Sequence, residues 1–396
     1  MQVPEDAHRD RPAGQHNTTT DIGDTHAMRL RFILTVSFAL AFLAGCAGTP
    51  EQFVAPNDQL GAADVQRIYL ATDRILAPDL SGTTKRGGAL SFAQYDITIP
   101  PLHEPGEVEF SKGNPNPETS FTVASARPVP NRSELGRIVR GQSGPLGRPI
   151  DSPVVYVHGF NTAMEYAVYR HAQIAHDYGL QGPQITFAWP SIERTLGYVR
   201  DKDSILIARD HLEELLVELT RNNQNVFVFG HSMGTQLVVE TVRQLSITGQ
   251  RDVLGRIGGV ILVSPDIDLD LFESQHERID PLPNPFVVMT SESDYALRFS
   301  SLLTAQPERL GSARDRDRLA ALDLLVLDLS GLPNSRNHFL AATSPVVIDI
   351  VTSARADVLS DKFPRSGIID IAALQAARAN EERCAVLDTA DGQPCM

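Results

Sequence analysis

From position 153 onward, short unbroken apolar runs alternate with stretches of helical periodicity. Val154–Val157, Ile185–Trp189, Val226–Phe229, Val260–Val263, Phe286–Met289 and Leu324–Leu327 are continuous apolar runs, the pattern of strands buried on both faces. Between them, Ser204–Leu219 carries Ile205, Ala208, Leu212, Leu215, Leu216 and Leu219 on one helical face, and Thr235–Leu245 and Pro345–Val351 also read as helices. Ser344 before Pro345 is a good helix start. Strands alternating with helices predict an α/β fold with a mostly parallel central sheet and helices on both faces.

Upstream the pattern differs. Gln66–Leu76 reads as a strand, and Leu90–Ile99 alternates apolar and polar residues as a half-buried strand does, stopped by Pro100-Pro101. A further strand is expected over Phe121–Ala126. Residues 127–152, rich in Pro, Gly and Arg, read as a loop.

The N-terminus has its own logic. Residues 1–27 are polar and read as disordered or as a non-translated extension, with Met28 as the alternative start. Met28-Arg29-Leu30-Arg31 precedes an apolar run from Phe32 to Leu43, too short to span a bilayer and typical of an export signal. It ends in Leu43-Ala44-Gly45-Cys46, which resembles the lipobox of bacterial lipoproteins. That resemblance implies cleavage before Cys46 and a lipid on its sulfur. The protein would then be held at a membrane surface of the bacterial envelope, with Ala47 after the cysteine pointing to the outer membrane, facing the periplasm. The expected organisation is 28–46 signal, 47–65 tether, 66–359 the α/β domain and 360–396 tail.

Composition narrows the function. A hydrophobic content of 42% suits a domain with a real core, and a formal net charge of −14 argues against nucleic acid as the partner. Of the three cysteines, Cys384 and Cys395 lie close together and could pair in an oxidising compartment; no Cys-x-x-Cys suggests a metal site.

The chemistry centres on Gly230-His231-Ser232-Met233-Gly234, set between strand Val226–Phe229 and a helix. A serine on so tight a turn is lifted clear of the sheet at a helix N-terminus, with small residues needed on either side; Gly230 and Gly234 meet that need. Ser232 is the candidate nucleophile, and the Met233 amide the candidate oxyanion donor. The loop after Val154–Val157, His158-Gly159-Phe160-Asn161, is placed to give the second donor, the Phe160 amide; His158 reads as a packed histidine.

A serine hydroxyl needs a base oriented by a carboxylate. After Ser232 the only histidines are His276 and His338, and His338 alone follows the last strand. Two acids compete: Asp294, after Phe286–Met289, and Asp266, after Val260–Val263. Asp294 is preferred, with Asp266 left to brace its loop.

Several stretches resemble an uncharacterised bacterial branch of the α/β-hydrolases, known as a domain of unknown function. They are Tyr69–Arg74, Ile99-Pro100-Pro101 to Gly106, Tyr156–Asn161, Phe187–Ser191 and Gly230–Gly234. The resemblance spans Gln66 to Val351 and implies the α/β-hydrolase fold and a triad of Ser232, Asp294 and His338. It supplies no substrate. Within Phe187–Ser191, Trp189 is expected in the core. The Tyr295–Asp323 connection is long, and Leu297, Phe299, Leu302 and Leu303 could form an apolar lid face.

The expected activity is therefore hydrolysis of an acyl ester through an acyl-enzyme, needing no metal or organic cofactor. The rivals are acyl transfer by the same triad and a non-catalytic envelope lipoprotein that keeps the fold as a binding module.

Overall fold

The computed structural model describes residues 64–110, 116–142, 152–304, 308–353 and 364–379. The signal, Cys46, most of the tether, Cys384 and Cys395 lie outside the described residues.

The chain runs β1 (Asp64–Leu76), β2 (Gly82–Ile99), β3 (Thr122–Val129), α1 (Arg132–Gln142), β4 (Val154–Val157), α2 (Met164–Asp177) and β5 (Gln184–Ala188). Next come α3 (Tyr198–Leu219), β6 (Val226–His231), α4 (Met233–Ile247), β7 (Ile257–Val263), α5 (Leu269–His276) and β8 (Phe286–Thr290). The last part is α6 (Tyr295–Thr304), α7 (Arg316–Ala321), β9 (Leu325–Asp328), α8 (Pro345–Ser353) and β10 (Gly367–Asp370).

The described strands form one sheet in the order β10-β9-β8-β7-β6-β4-β5-β1-β2-β3. Every pairing from β1 across to β10 is parallel, and the two at the other edge, β1–β2 and β2–β3, are antiparallel. This is the mostly parallel α/β-hydrolase architecture. On one face α1, α3 and α4 bury Leu135, Val139, Leu212, Leu216, Leu237 and Val238 against strand residues such as Val155, Phe187, Val228 and Leu262. On the other face α2 packs on β1 and β2 through Met164, Val168, Tyr169 and Ala172, and α8 packs on β8 and β9 through Val347 and Ile350. A cavity of about 490 Å³ opens between α2 and α8 over Phe227, Phe229 and Ile261; Ser232, Asp294 and His338 do not line it.

Three expectations need correction. The segment 127–152 is not all loop. β3 runs on to Val129, and α1 follows, its first turn capped by Asn131 Oδ1 accepting from the Glu134 amide at 3.0 Å. Leu135, Ile138 and Val139 form its apolar stripe; the surrounding Gly and Arg hid that short period. Second, β2 begins at Gly82, eight residues before the alternation starts. Its first half is a ribbon paired with β1 in which no residue is fully buried, so burial imposes no pattern there. Third, the domain does not end at Leu359. Residues 367–370 add the tenth strand, parallel to β9, and 371–379 are helical.

The sheet order explains where a site can form. From β4 the chain moves outward to β5, then returns to place β6 on β4's other side. Connections leaving in opposite directions open a crevice at the carboxyl ends of the two strands.

Candidate active site

β6 ends at His231 and α4 begins at Met233, leaving Ser232 alone in the turn with φ 52° and ψ −123°. That conformation costs a non-glycine residue on the order of 1–3 kcal/mol, so the surroundings must enforce it. The Ser232 amide donates to Val263 O (2.9 Å), and its carbonyl accepts from the Thr235 amide (3.0 Å), Thr235 Oγ1 (2.5 Å) and the Asp266 amide (3.3 Å). Gly234 must be glycine: a Cβ there would sit 2.3 Å from His158 O and 2.6 Å from Val157 O, backbone atoms that cannot yield. The side chain of Ser232 is buried to 5% exposure, and its hydroxyl makes no hydrogen bond with another described residue.

The loop after β4 packs directly on this turn. A Cβ on Gly159 would lie 2.9 Å from Ser232 Cβ. Asn161 turns the loop with φ 54°, and the Phe160 ring meets Tyr198 edge-on at 5.4 Å. Neither the Phe160 amide nor the Met233 amide is spent on a described hydrogen bond. His158 is fully buried. Its ring stacks on Trp189 at 4.9 Å, with both ring nitrogens near backbone carbonyls, Gly159 O at 2.8 Å and Trp189 O at 3.1 Å. Burial pushes its pKa down to about 3, so it is neutral and structural. Trp189 is core, and its Nε1 donates to His158 O at 2.7 Å.

His338 lies after β9, in the loop that leads to the helical turn Leu340–Thr343. Its Nδ1 is 2.8 Å from Asp294 Oδ2. A carboxylate only accepts, so Nδ1 carries the proton and Nε2 keeps its lone pair. Asp294 is fully buried, and its other oxygen caps α6, accepting from the amides of Ala296 (2.9 Å) and Leu297 (3.1 Å). Burial works to lower the His338 pKa, but the Asp294 charge and hydrogen bond, with a further contribution from Asp266, hold it above the ordinary value. The two loops are sewn together: Ser291 Oγ donates to Ser335 O (2.5 Å), Ser293 Oγ to Ser335 Oγ (2.9 Å) and the Glu292 amide to Ser330 Oγ (3.0 Å).

Asp266 sits on the same rim but does not reach His338. Its Oδ2 accepts from Tyr198 OH (2.9 Å), and its Oδ1 accepts from Ser300 Oγ (2.6 Å) and pairs with buried Arg309 Nε (3.2 Å). His276 is on α5, half-buried. The expected apolar lid face divides: Leu297 is buried, whereas Leu302 and Leu303 face outward. Among the described residues no group of His, Cys, Asp or Glu is arranged to hold a metal.

Residue-by-residue reading missed two supports. Arg74, at 1% exposure, donates from Nε to Trp189 O (3.0 Å) and from Nη2 to Thr162 O (2.9 Å), and pairs with Glu193 (2.5 Å). It thereby fixes the loops after β4 and β5 to the end of β1; its signals in the sequence are a charge at the end of a strand and its place in the family-like stretch Tyr69–Arg74. The second is His231, within the elbow, whose Nε2 lies 3.2 Å from His338 O; nothing in its local sequence signals that contact.

This fold, with a serine at a strained strand–helix turn and a histidine–carboxylate pair on the same rim, defines the α/β-hydrolase class. The chain belongs to the family described as alpha/beta hydrolase of unknown function (DUF900), whose model matches residues 147–355, a little over half of the sequence. No curated protein matches it. Among solved structures it is similar to a fungal esterase from Rhizomucor miehei (12% identity, TM-score 0.36, 81% of this chain and 96% of that one). It is also similar to the esterase of Pyrobaculum calidifontis (14%, 0.32, 82% and 89%) and to a dienelactone hydrolase from Anabaena variabilis (12%, 0.33, 70% and 94%).

Proposed function

We propose that the protein is a serine hydrolase that cleaves a carboxylic ester through an acyl-enzyme, with Ser232, His338 and Asp294 as its triad. The observation that carries this reading is the 2.8 Å bond between His338 Nδ1 and a buried Asp294, on the rim where Ser232 takes its strained turn. A histidine held in that tautomer presents a basic Nε2, and a retired fold has no need to keep a carboxylate buried behind it.

Ser232 Oγ attacks the ester carbonyl carbon while its proton passes to His338 Nε2. The carbonyl π electrons move onto oxygen, which the Phe160 and Met233 amides stabilise. Collapse re-forms the carbonyl and breaks the bond to the alcohol, which leaves with the proton from His338. Water then attacks the acyl-enzyme, giving its proton to His338, and the acid departs as Ser232 regains its hydrogen. Asp294 stabilises the imidazolium in both halves without taking its proton. In this reading a lipid on Cys46 holds the enzyme at the bacterial envelope.

The test is labelling of the purified protein by a fluorophosphonate probe, beside Ser232→Ala and His338→Ala. Labelling of wild type and its loss in both variants is the expected result. A folded wild type that resists both the probe and a panel of activated esters would overturn the reading.

A further inference from the structure

We propose that Phe339, gripped by the His231 imidazole and the Arg170 guanidinium, is the positioning element that aims His338 at Ser232. The inference rests on the proposed roles of Ser232 and His338 and adds residues that hold them.

Asp294 fixes only one side of the His338 ring. Its Nδ1 is bonded, but no hydrogen bond joins the ring to Ser232. The Nε2 direction therefore depends on where the backbone of residues 338–339 is held. The residue before the nucleophile holds it. His231 Nε2 is 3.2 Å from His338 O; a carbonyl oxygen only accepts, so Nε2 bears the proton. Burial, with the neighbouring His338 charge, keeps the His231 pKa well below its ordinary value, so the ring stays neutral. The same ring lies against Phe339, with centroids 3.9 Å apart and planes at 37°. Gly159 makes room for it, since a Cβ there would fall 2.9 Å from His231 Nδ1.

The residue after the base is held a second time, from α2. Arg170 Cζ lies 5.4 Å from the Phe339 ring centroid. The guanidinium is buried to 6% exposure and anchored by Nη1 to Gly106 O (2.9 Å) and Gln173 Oε1 (2.7 Å) and by Nη2 to Tyr166 OH (2.8 Å). Its Nε is buried with no hydrogen-bond partner, a cost rarely kept without a reason. Contact with two aromatic faces supplies one, Phe339 and, at 5.5 Å, Tyr166 of α2 itself: the ring quadrupoles attract the cation where no acceptor does. Beyond Phe339, Gln173 Nε2 donates to Ala342 O at 3.1 Å and Tyr178 OH donates to Ala341 O, so α2 grips the whole turn after the base. His231 adjoins Ser232 and Phe339 adjoins His338, so nucleophile and base are spaced through their neighbours.

The experiment compares Phe339→Leu, Phe339→Tyr, His231→Phe and His231→Gln with wild type. It reads the rate of fluorophosphonate labelling, kcat and KM on a p-nitrophenyl ester, the thermal midpoint, and the low-field proton NMR signal of His338 Nδ1–H. A base misplaced by about 1 Å loses up to about 100-fold in rate. Phe339→Leu is therefore expected to lose about 10- to 100-fold in labelling rate and kcat, with KM changed less than about twofold and little change in thermal midpoint. Phe339→Tyr should retain nearly all of the rate. His231→Phe keeps the ring contact and His231→Gln a donor, so each should fall between. The Nδ1–H signal should broaden in Phe339→Leu. Wild-type rate in Phe339→Leu, or a loss explained wholly by unfolding, overturns the proposal. If wild type itself fails to label, the triad reading falls; the NMR signal then decides the positioning claim, and an unaltered signal in Phe339→Leu overturns it.

Discussion

The loops after β7 and β8 each place an aspartate on the same rim, and the two have opposite fates. Asp266 is closed in by Tyr198, Ser300 and Arg309, so both of its oxygens are committed to groups that do not titrate near neutrality. Asp294 spends one oxygen on the amides that begin α6 and leaves the other for His338. Burial is nearly equal, at 3% and 0% exposure. Partners, not burial, separate a brace from a candidate triad acid. A buried carboxylate facing an arginine is a structural ion pair; facing an imidazole, it raises that ring's basicity and fixes its tautomer.

The sharpest way to break this contrast is Asp294→Asn. The amide keeps the shape but can offer its NH₂ to Nδ1, turning the ring into the wrong tautomer, and kcat should fall about 10³- to 10⁴-fold. Steady-state hydrolysis of an activated ester would measure it. An intact rate would return the acid's role to Asp266.

The pH profile sharpens the same point. The base works only when neutral, and the folded His338 pKa lies above about 6.5 because Asp294 outweighs desolvation. In wild type the rate should therefore fall as pH drops through a midpoint above that value. In Asp294→Asn the residual activity should have its acid limb at lower pH, because only the smaller contribution of Asp266 then opposes desolvation.

Asp266→Asn should show the reverse balance, with stability lost before catalysis. Removing one partner of a buried ion pair takes a carboxylate charge away from Arg309 and costs about 3–5 kcal/mol, read by urea unfolding. The folded fraction should still label at Ser232. Tyr198→Phe is the smallest test: it removes one hydrogen bond from Asp266 and should cost about 1 kcal/mol, with the ester rate nearly unchanged.

How much of this was legible beforehand follows from the range of each interaction. The parallel strands announce themselves because burial on both faces forces every residue of a run to be apolar. The elbow does so because the turn admits only small residues at Gly230 and Gly234, a purely local demand. Helix α1 was not legible, since its three apolar positions are set among glycine and arginine and the segment reads as loop. β10 was not legible at all, because four residues become a strand only when β9 offers an edge.

The sequence by itself determined the strand–helix alternation and the serine's turn, both consequences of sterics and solvent exclusion over a few residues. Only the tertiary structure decided which side chain arrives opposite each carboxylate: His338, 44 residues away, opposite Asp294, and Tyr198, 68 residues away, opposite Asp266. It also decided that His231, Phe339 and Arg170 meet. Their contacts join β6, the loop after β9 and α2, and no spacing along the chain encodes a meeting that exists only once the sheet has brought those three elements to one rim.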